Sequence, residues 1–489
     1  MTTVTDPDAV LSSVPTGLLI GGRWREASDR GTFEVRDPAT GEALTTVADA
    51  TPEDGIAALD AAADAQAEWA ATPARTRAEL LRAAWELTTE RAEDLATLMT
   101  LEMGKPLADS RAELTYGAEF LRWFSEEASR VNGRYQRSPE GNLRILATKR
   151  PVGPCLFLTP WNFPLAMATR KIAPALAAGC TVILKPSDAT PLTALAFGEI
   201  LREVGVPDGV VNIIPTRFAP PVTGPVIKDR RLRKLSFTGS TAVGSALLKE
   251  AADNVLRTSM ELGGCAPLIV FEDADIAEVV TGTKMAKLRN MGEACTAANR
   301  LYVHESIAEE FAVALTAEFR GLTVGPGLGE GTDVGPLISQ QQRERVHSLV
   351  ASARDGGARV RLGGEPLDGP GYFYPPTVLT DVPADAEVMS TEIFGPVAPI
   401  ATFTDEDEVI EMANRSDVGL ASYVFTKDLE RVLRLSERLE VGMMGVNTGV
   451  ISNAAAPFGG VKQSGLGREG GTEGIEEYLE TTYVALPGS

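Results

Sequence analysis

The sequence predicts an α/β protein built around a parallel, doubly wound sheet, with a second α/β region following it. Three observations predict it. Between residues 155 and 214 short apolar runs alternate with helical ones. A similar alternation resumes from about residue 257, and ahead of both lies a pair of extended segments, about 131–150, meeting at a turn-rich tip.

In chain order, Thr51-Pro52-Glu53-Asp54 forms a cap with proline in the first turn, and Ile56, Leu59, Ala63 and Ala67 continue at helical spacing, predicting a helix over 51–72. A second helix is expected over about 76–103, stopped by Gly104-Lys105-Pro106. Gly133-Arg134-Tyr135 and Leu143-Arg144-Ile145-Leu146 flank Ser138-Pro139-Glu140-Gly141-Asn142, which predicts a protruding hairpin. Then come Cys155-Leu156-Phe157-Leu158, a helix over 164–178, Thr181-Val182-Ile183-Leu184, a helix over 191–204 and Val210–Ile214, a βαβ rhythm. The second region has Pro267–Phe271 as a strand and helical patterns near 276–290, 305–320 and 339–355.

Composition narrows the chemistry. The 489 residues exceed what one core usually supports, so two or three subdomains are expected. Hydrophobic residues make up 44% and charged ones 23%, without a run long enough to predict a membrane span. Met1–Pro15 has neither the basic nor the apolar stretch of a signal peptide, so a cytoplasmic location is expected. A formal charge of -21 disfavours nucleic acid and acidic lipid as partners. Four dispersed cysteines and two histidines, His304 and His347, make no metal-ligand motif and no Cys/His or Ser/His/Asp pattern, so no metal site is expected. The chemistry is left to cysteine, carboxylates or a cofactor.

Leu235–Gly244 reads as a strand, a tight turn at Gly239 and a helix capped by Ser240; free N–H groups at such a helix start favour a dinucleotide pyrophosphate. Taken alone, it is equally an ordinary strand-to-helix turn, because the G-x-G-x-x-G fingerprint is absent. Glycines 325, 327, 329 and 331 read as a surface loop, with a proline inside and no strand feeding a helix. Lys185-Pro186-Ser187-Asp188 follows a strand, placing a cation and a carboxylate where α/β sheets bind ligands, although a lone lysine there is more often a solvated one. Cys295 lies in a mixed polar segment, Arg289–Arg300, between a helix and the strand Leu301-Tyr302-Val303, a setting compatible with a reactive thiol. Cys155, Cys180 and Cys265 read as structural.

Pro160-Trp161-Asn162-Phe163-Pro164, Glu261-Leu262-Gly263-Gly264, Asn290 to Cys295, Glu392-Ile393-Phe394-Gly395-Pro396 and Pro457-Phe458-Gly459-Gly460 together, and in this order, resemble the signatures of the aldehyde dehydrogenase superfamily. The resemblance covers about Gly21 to Tyr483. It implies an aldehyde dehydrogenase-like fold with a Rossmann-type NAD(P)-binding domain (1–130 and 151–256), an α/β catalytic domain (257–455) and a small β oligomerisation domain (131–150 and 473–489). It also implies a homodimer or homotetramer. Gly459–Glu469 and Asn447–Ser452 are most similar to the succinate-semialdehyde dehydrogenase subfamily, implying oxidation of succinate semialdehyde to succinate.

The resemblance further implies roles. Cys295 attacks the aldehyde to give a thiohemiacetal, and the Asn162 side-chain amide with the Cys295 N–H holds the oxyanion. Hydride loss to the nicotinamide leaves a thioester, and Glu261 deprotonates the water that hydrolyses it. Glu392 holds the nicotinamide ribose with Phe394 beside that ring, Lys185 holds the adenine ribose, and Trp161 and Ser240 complete the cofactor contacts. Asp188 accepts from a 2'-hydroxyl and repels a 2'-phosphate, which favours NAD over NADP, with NADP still possible. Arg170, Arg289 and Ser452 are the expected ligands of the substrate's distal carboxylate.

Three features depart from the common pattern. Glu293-Ala294 replaces Gln-Thr before Cys295, and Glu293 is expected to point away from the thiol; Ala297 stands where some relatives carry a second cysteine; and Pro215–Pro221 replaces a glycine-containing cofactor loop. The alternatives are a dehydrogenase for another aldehyde, a CoA-acylating member, or a catalytically silent protein of the same fold.

Overall fold

The computed structural model describes residues 6–488; Met1–Thr5 and Ser489, at the ends of the first and last expected segments, lie outside the described residues. The first helix of the N-terminal scaffold, Pro52–Ala71, begins on a complete capping box: the Thr51 side chain accepts from the Asp54 N–H, and Asp54 returns a bond to the Thr51 N–H. The single helix expected over 76–103 is two, Ala74–Glu90 and Ala92–Met103, hinged at Arg91 (φ -90°, ψ 23°) without glycine or proline. Tertiary burial explains the break, since Leu95 to Met103 is buried on every side whereas the preceding helix keeps an exposed face.

The first large sheet runs in the order Arg23–Arg25, Leu18–Ile20, Val211–Ile213, Val182–Lys185, Cys155–Leu158, Lys234–Thr238, Arg257–Glu261, Gly465–Leu466. Its five central strands are parallel and its flanking strands antiparallel. The order reverses at Cys155–Leu158, so the strand ends around it form the crevice where doubly wound sheets bind ligands. The boundary expected at 256/257 is displaced: Arg257–Glu261 pairs in register with Lys234–Thr238 and closes the parallel part of this sheet. Its residues Arg257-Thr258-Ser259-Met260-Glu261 carry no apolar alternation that would name a partner; the ladder assigns it.

The second sheet runs Arg359–Leu362, Thr377–Thr380, Val397–Phe403, Ala298–His304, Ala266–Val270, Ala421–Phe425, Met443–Val446, parallel except at its first strand. Each large sheet has its own buried apolar clusters. The expected hairpin is present as Arg134–Arg137 and Leu143–Pro151, and Leu479–Pro487 pairs antiparallel along the latter from Leu143 to Pro151, making a separate three-stranded sheet. The glycines from 325 to 331 lie in a loop closed by a Val324–Val334 bridge. No helix of the described residues is long and apolar enough to cross a membrane.

Packed against the first sheet and the helices Ala74–Glu90, Leu107–Glu127 and Leu192–Glu203 lies the helix Pro164–Ala178, buried at every residue. A helix this enclosed must pair each polar side chain it carries. Arg170 and Lys171 are the ones that matter below.

Candidate active site

Cys295 follows a backbone that turns sharply. Asn290, Met291 and Gly292 have φ of 56°, 54° and 77°, a left-handed run that costs on the order of 1–3 kcal/mol at each non-glycine position. Hydrogen bonds offset the strain: the Asn290 N–H donates to Asp109 Oδ2 at 2.7 Å, and Asn290 Nδ2 donates to the Glu293 carbonyl at 2.8 Å and the Asn162 carbonyl at 3.0 Å. From there the Ala294–Ala297 turn presents Cys295, partly buried, while no acceptor among the described residues takes its N–H. The close approach explains the paired glycines of Glu261-Leu262-Gly263-Gly264: a Cβ on Gly264 would lie 2.4 Å from the Cys295 carbonyl oxygen.

Burial pushes the Cys295 thiol up to about 12; Arg170 and Arg289 pull it down, and Glu392 and Glu261 add to the rise. As the protein stands the thiol is protonated, so a thiolate has to be generated by proton transfer or by a nearby positive charge. Glu293 does face away, as expected. Its Oε1 accepts from the Ile338 N–H at 3.2 Å, its Oε2 is buried without a partner, and burial holds its carboxyl well above the usual range. A neutral acid there exerts no charge repulsion on the thiol.

Asn162 is brought to the same place from the other side, in the turn between the strand Cys155–Leu158 and the buried helix. Its Nδ2 donates to the Glu293 carbonyl at 3.0 Å, which leaves its second amide hydrogen without a protein acceptor. Glu261, at the end of its strand, is 3% exposed, and its Oε2 has no partner. Burial first, then the nearby Glu469, holds its pKa well above the ordinary carboxylate value, against Arg170, Lys171 and Arg468.

Arg170, also expected at the substrate carboxylate, is 1% exposed, ion-paired with Glu469 and stacked 4.5 Å over Phe458, with its charge within electrostatic reach of Cys295. Lys171 beside it also pairs with Glu469 and donates to Ser236 Oγ at 3.0 Å. Arg289 and Ser452 do come together, with Arg289 Nη1 3.4 Å from Ser452 Oγ and its guanidinium 4.9 Å from the centre of the Phe163 ring. Both line a cavity of about 620 Å³ whose wall includes Tyr116, Met285, Leu288 and Val450.

At the crevice of the first sheet, Ser240 caps the helix Thr241–Ala252 by accepting from the Val243 N–H, directly after the strand Lys234–Thr238 and Gly239. Lys185 is the last residue of its strand, 8% exposed and donating to no acceptor among the described residues, with Asp188 and Asp49 as its charged neighbours. Asp188 itself is exposed. The unusual 215–221 segment is anchored rather than loose: Asp49 Oδ1 accepts from Thr216 Oγ1 at 2.9 Å and the Arg217 N–H at 3.0 Å, and the helix Ala219–Lys228 starts at once.

Glu392 accepts from the Gly264 N–H at 3.2 Å through Oε1, and burial raises its carboxyl to about 7. A Cβ on Gly263 would come within 2.9 Å of its Oε2, so the open glycine face beside that oxygen is a cradle a side chain would fill. Phe394 (φ 54°) sits edge-on to Trp161 at 5.3 Å. A buried amine without an acceptor at one end, a capped helix start in the middle and a carboxylate over a glycine floor at the other fit an extended dinucleotide.

Several residues here had no signal of function in the sequence. Lys105 reads only as part of a helix stop, yet it is fully buried and bonded to the Asn162 carbonyl. Lys171 and Glu469 were visible only as residues within matched segments; their pairing spans 298 positions. Lys287, buried near Glu392 and Cys265 with no partner at Nζ, is lowered by burial to about 7.

Residues 24–484 match the model of the aldehyde dehydrogenase family. The chain is 58% identical over 443 residues to the succinate-semialdehyde dehydrogenase of Paenarthrobacter nicotinovorans, covering 91% of this chain and 98% of that protein. It is 46% identical over 469 residues to the glutarate-semialdehyde dehydrogenase of Pseudomonas aeruginosa, covering 96% and 97%. Its fold superposes on a crystal structure of an NADP-dependent enzyme of E. coli with a TM-score of 0.96 at 44% identity, covering 99% of this chain and all of that one. With the fold, the family match and these relatives in agreement, the chain belongs to the aldehyde dehydrogenase family and is an NAD(P)-dependent aldehyde dehydrogenase.

Proposed function

We propose that this enzyme oxidises succinate semialdehyde to succinate. The observation that carries the reading is the Arg289–Ser452 pair on the cavity wall, with Arg289 also within electrostatic reach of Cys295. A guanidinium beside a hydroxyl holds a carboxylate in a defined orientation. The other end of a short semialdehyde is then directed at the sulfur.

In this reading the Cys295 thiolate forms a bond to the aldehyde carbon, and the carbonyl π pair moves onto oxygen. The free hydrogen of the Asn162 amide and the unshared Cys295 N–H receive that charge. When bound, the cofactor supplies the hydride acceptor that converts the thiohemiacetal to a thioester. Glu261, buried and held above the usual carboxylate range, then takes a proton from water as the water attacks the thioester. Succinate leaves and the thiol is restored. A carboxylate poised for water favours hydrolysis over transfer to CoA.

Lys185 and Asp188 would hold the adenine ribose, Gly239 and Ser240 the pyrophosphate, and Glu392, Phe394 and Trp161 the nicotinamide end. The Asp188 carboxylate favours a 2'-hydroxyl over a 2'-phosphate, hence NAD over NADP. We place the enzyme in the cytoplasm as a homodimer or homotetramer assembled through the separate three-stranded sheet, where Tyr135, Tyr483, Val484 and Leu486 are exposed.

The test is NADH or NADPH formation from succinate semialdehyde, its five-carbon homologue, propanal and an amino-aldehyde, with and without CoA. The highest kcat/KM is expected with succinate semialdehyde and NAD, independent of CoA. Equal efficiency for propanal would overturn the substrate, and silence throughout would overturn catalysis.

A further inference from the structure

Asn162 is useful as an oxyanion donor only if its amide stays aimed, and the turn that carries it is anchored by one buried cation. Lys105 Nζ donates to the Asn162 carbonyl at 2.7 Å and to Glu113 Oε2 at 2.5 Å, and it lies 4.4 Å from the centre of the Phe163 ring. Glu113 Oε1 in turn accepts from the Leu165 and Ala166 N–H groups at 2.9 and 3.1 Å, at the start of the buried helix. The pair therefore clamps the main chain on both sides of Asn162, through its carbonyl and through the helix that follows. Asn290 Nδ2 shares the same carbonyl at 3.0 Å, tying the turn to the segment that leads to Cys295. Lys105 and Glu113 are both fully enclosed, with side-chain exposures of 0%.

We infer that Lys105 is a positioning residue for the oxyanion site, acting through the Asn162 main chain, with Glu113 holding the lysine charged and in place. A charged donor gives a stronger and more directional bond to a carbonyl than a neutral one. Loss of that anchor lets the turn relax, and displacement of a catalytic group by about 1 Å costs on the order of 100-fold in rate. The inference rests on the reading of Asn162 as oxyanion donor.

The experiment compares Lys105→Met, Asn162→Ala and the double variant in the full enzyme by three readouts. These are the single-turnover rate of NADH formation, the cofactor-free burst of p-nitrophenolate from p-nitrophenyl acetate, and alkylation of Cys295 by iodoacetamide. The first two pass through a tetrahedral oxyanion and the third does not. Lys105→Met is expected to slow the first two by about 10-fold or more, leave alkylation within about 2-fold, and add little on top of Asn162→Ala. Glu113→Gln, which keeps one acceptor oxygen for the helix N–H groups but replaces the oxygen facing Lys105 with an amide NH2 and removes the counter-charge, is expected to show the same signature. It carries the test if Lys105→Met does not fold. Full activity of the single variants, an undiminished Lys105→Met effect in the Asn162→Ala background, or a parallel fall in alkylation would overturn the inference. Normal oxyanion-dependent rates in Asn162→Ala itself would overturn the underlying reading of Asn162 instead.

Discussion

Arg289 Nη1 lies 3.4 Å from Ser452 Oγ although 163 residues separate them, and the guanidinium rests on the Phe163 ring beside the turn that carries Asn162. An anion held between them is fixed in distance from Cys295. Hydrogen bonds to a charged group contribute about 1.5–3 kcal/mol. Arg289→Ala is therefore expected to raise KM for succinate semialdehyde about 10- to 100-fold while changing KM for propanal little, as measured by steady-state kinetics on both aldehydes. Equal changes for the two would refute the carboxylate pocket.

Glu261→Gln separates the two halves of the reaction. The variant is expected to release about one equivalent of NADH per active site in a rapid burst, with subsequent turnover reduced on the order of 100- to 10,000-fold. In the unaltered enzyme the deacylation rate should climb with pH, because burial and Glu469 raise the Glu261 pKa and the basic form accumulates only as pH rises through that raised value. A burst-free variant with ordinary turnover would remove Glu261 from the role.

Glu293 ties stability to pH. Burial raises its carboxyl pKa, so in the folded enzyme it stays protonated where the unfolded chain, with the ordinary value of 4.5, has already ionised. Between those two values the unfolded state binds fewer protons, and the group's contribution to stability is lost as pH rises. A glutamine keeps an oxygen for the Ile338 N–H and does not ionise. The Tm of Glu293→Gln, relative to the parent, should accordingly increase from pH 5 to pH 8 by on the order of 2 °C. A constant difference in calorimetry across that range would show that Glu293 is not held protonated.

Asp188 sets the cofactor preference in the reading above. Removing its charge with Asp188→Ser is expected to raise the ratio of kcat/KM for NADP to that for NAD by about 10-fold, with Lys185 left to meet the 2'-phosphate. An unchanged ratio would place discrimination elsewhere at that end of the crevice.

Local pattern carried far in this chain. The Thr51-Pro52-Glu53-Asp54 cap, the βαβ alternation from Cys155 to Ile213 and the hairpin around Ser138 were all legible, because each depends on residues within one or two turns of each other. The Arg91 hinge was not, since no local breaker marks it and the bend follows from the burial of Leu95 to Met103. The strand Arg257–Glu261 was assigned to the wrong side of a boundary for a related reason: a short strand does not declare its partner. Among the expected substrate ligands, Arg289 and Ser452 meet at the cavity wall, while Arg170 pairs with Glu469 within electrostatic reach of Cys295. An arginine in sequence looks the same in either state.

The sequence by itself determined the class of the fold, the family resemblance and the short motifs around Cys295, Asn162, Glu261 and Glu392, because these are properties of residue type and near spacing. Only the tertiary structure decided which charges are spent internally, that Glu293 is buried facing Ile338, and that Lys105 supports the Asn162 turn from 57 positions away. Ion pairing and burial depend on what the folded chain brings within a few ångströms and how much water it removes there. Neither quantity exists until the sheets and the buried helix Pro164–Ala178 are in place.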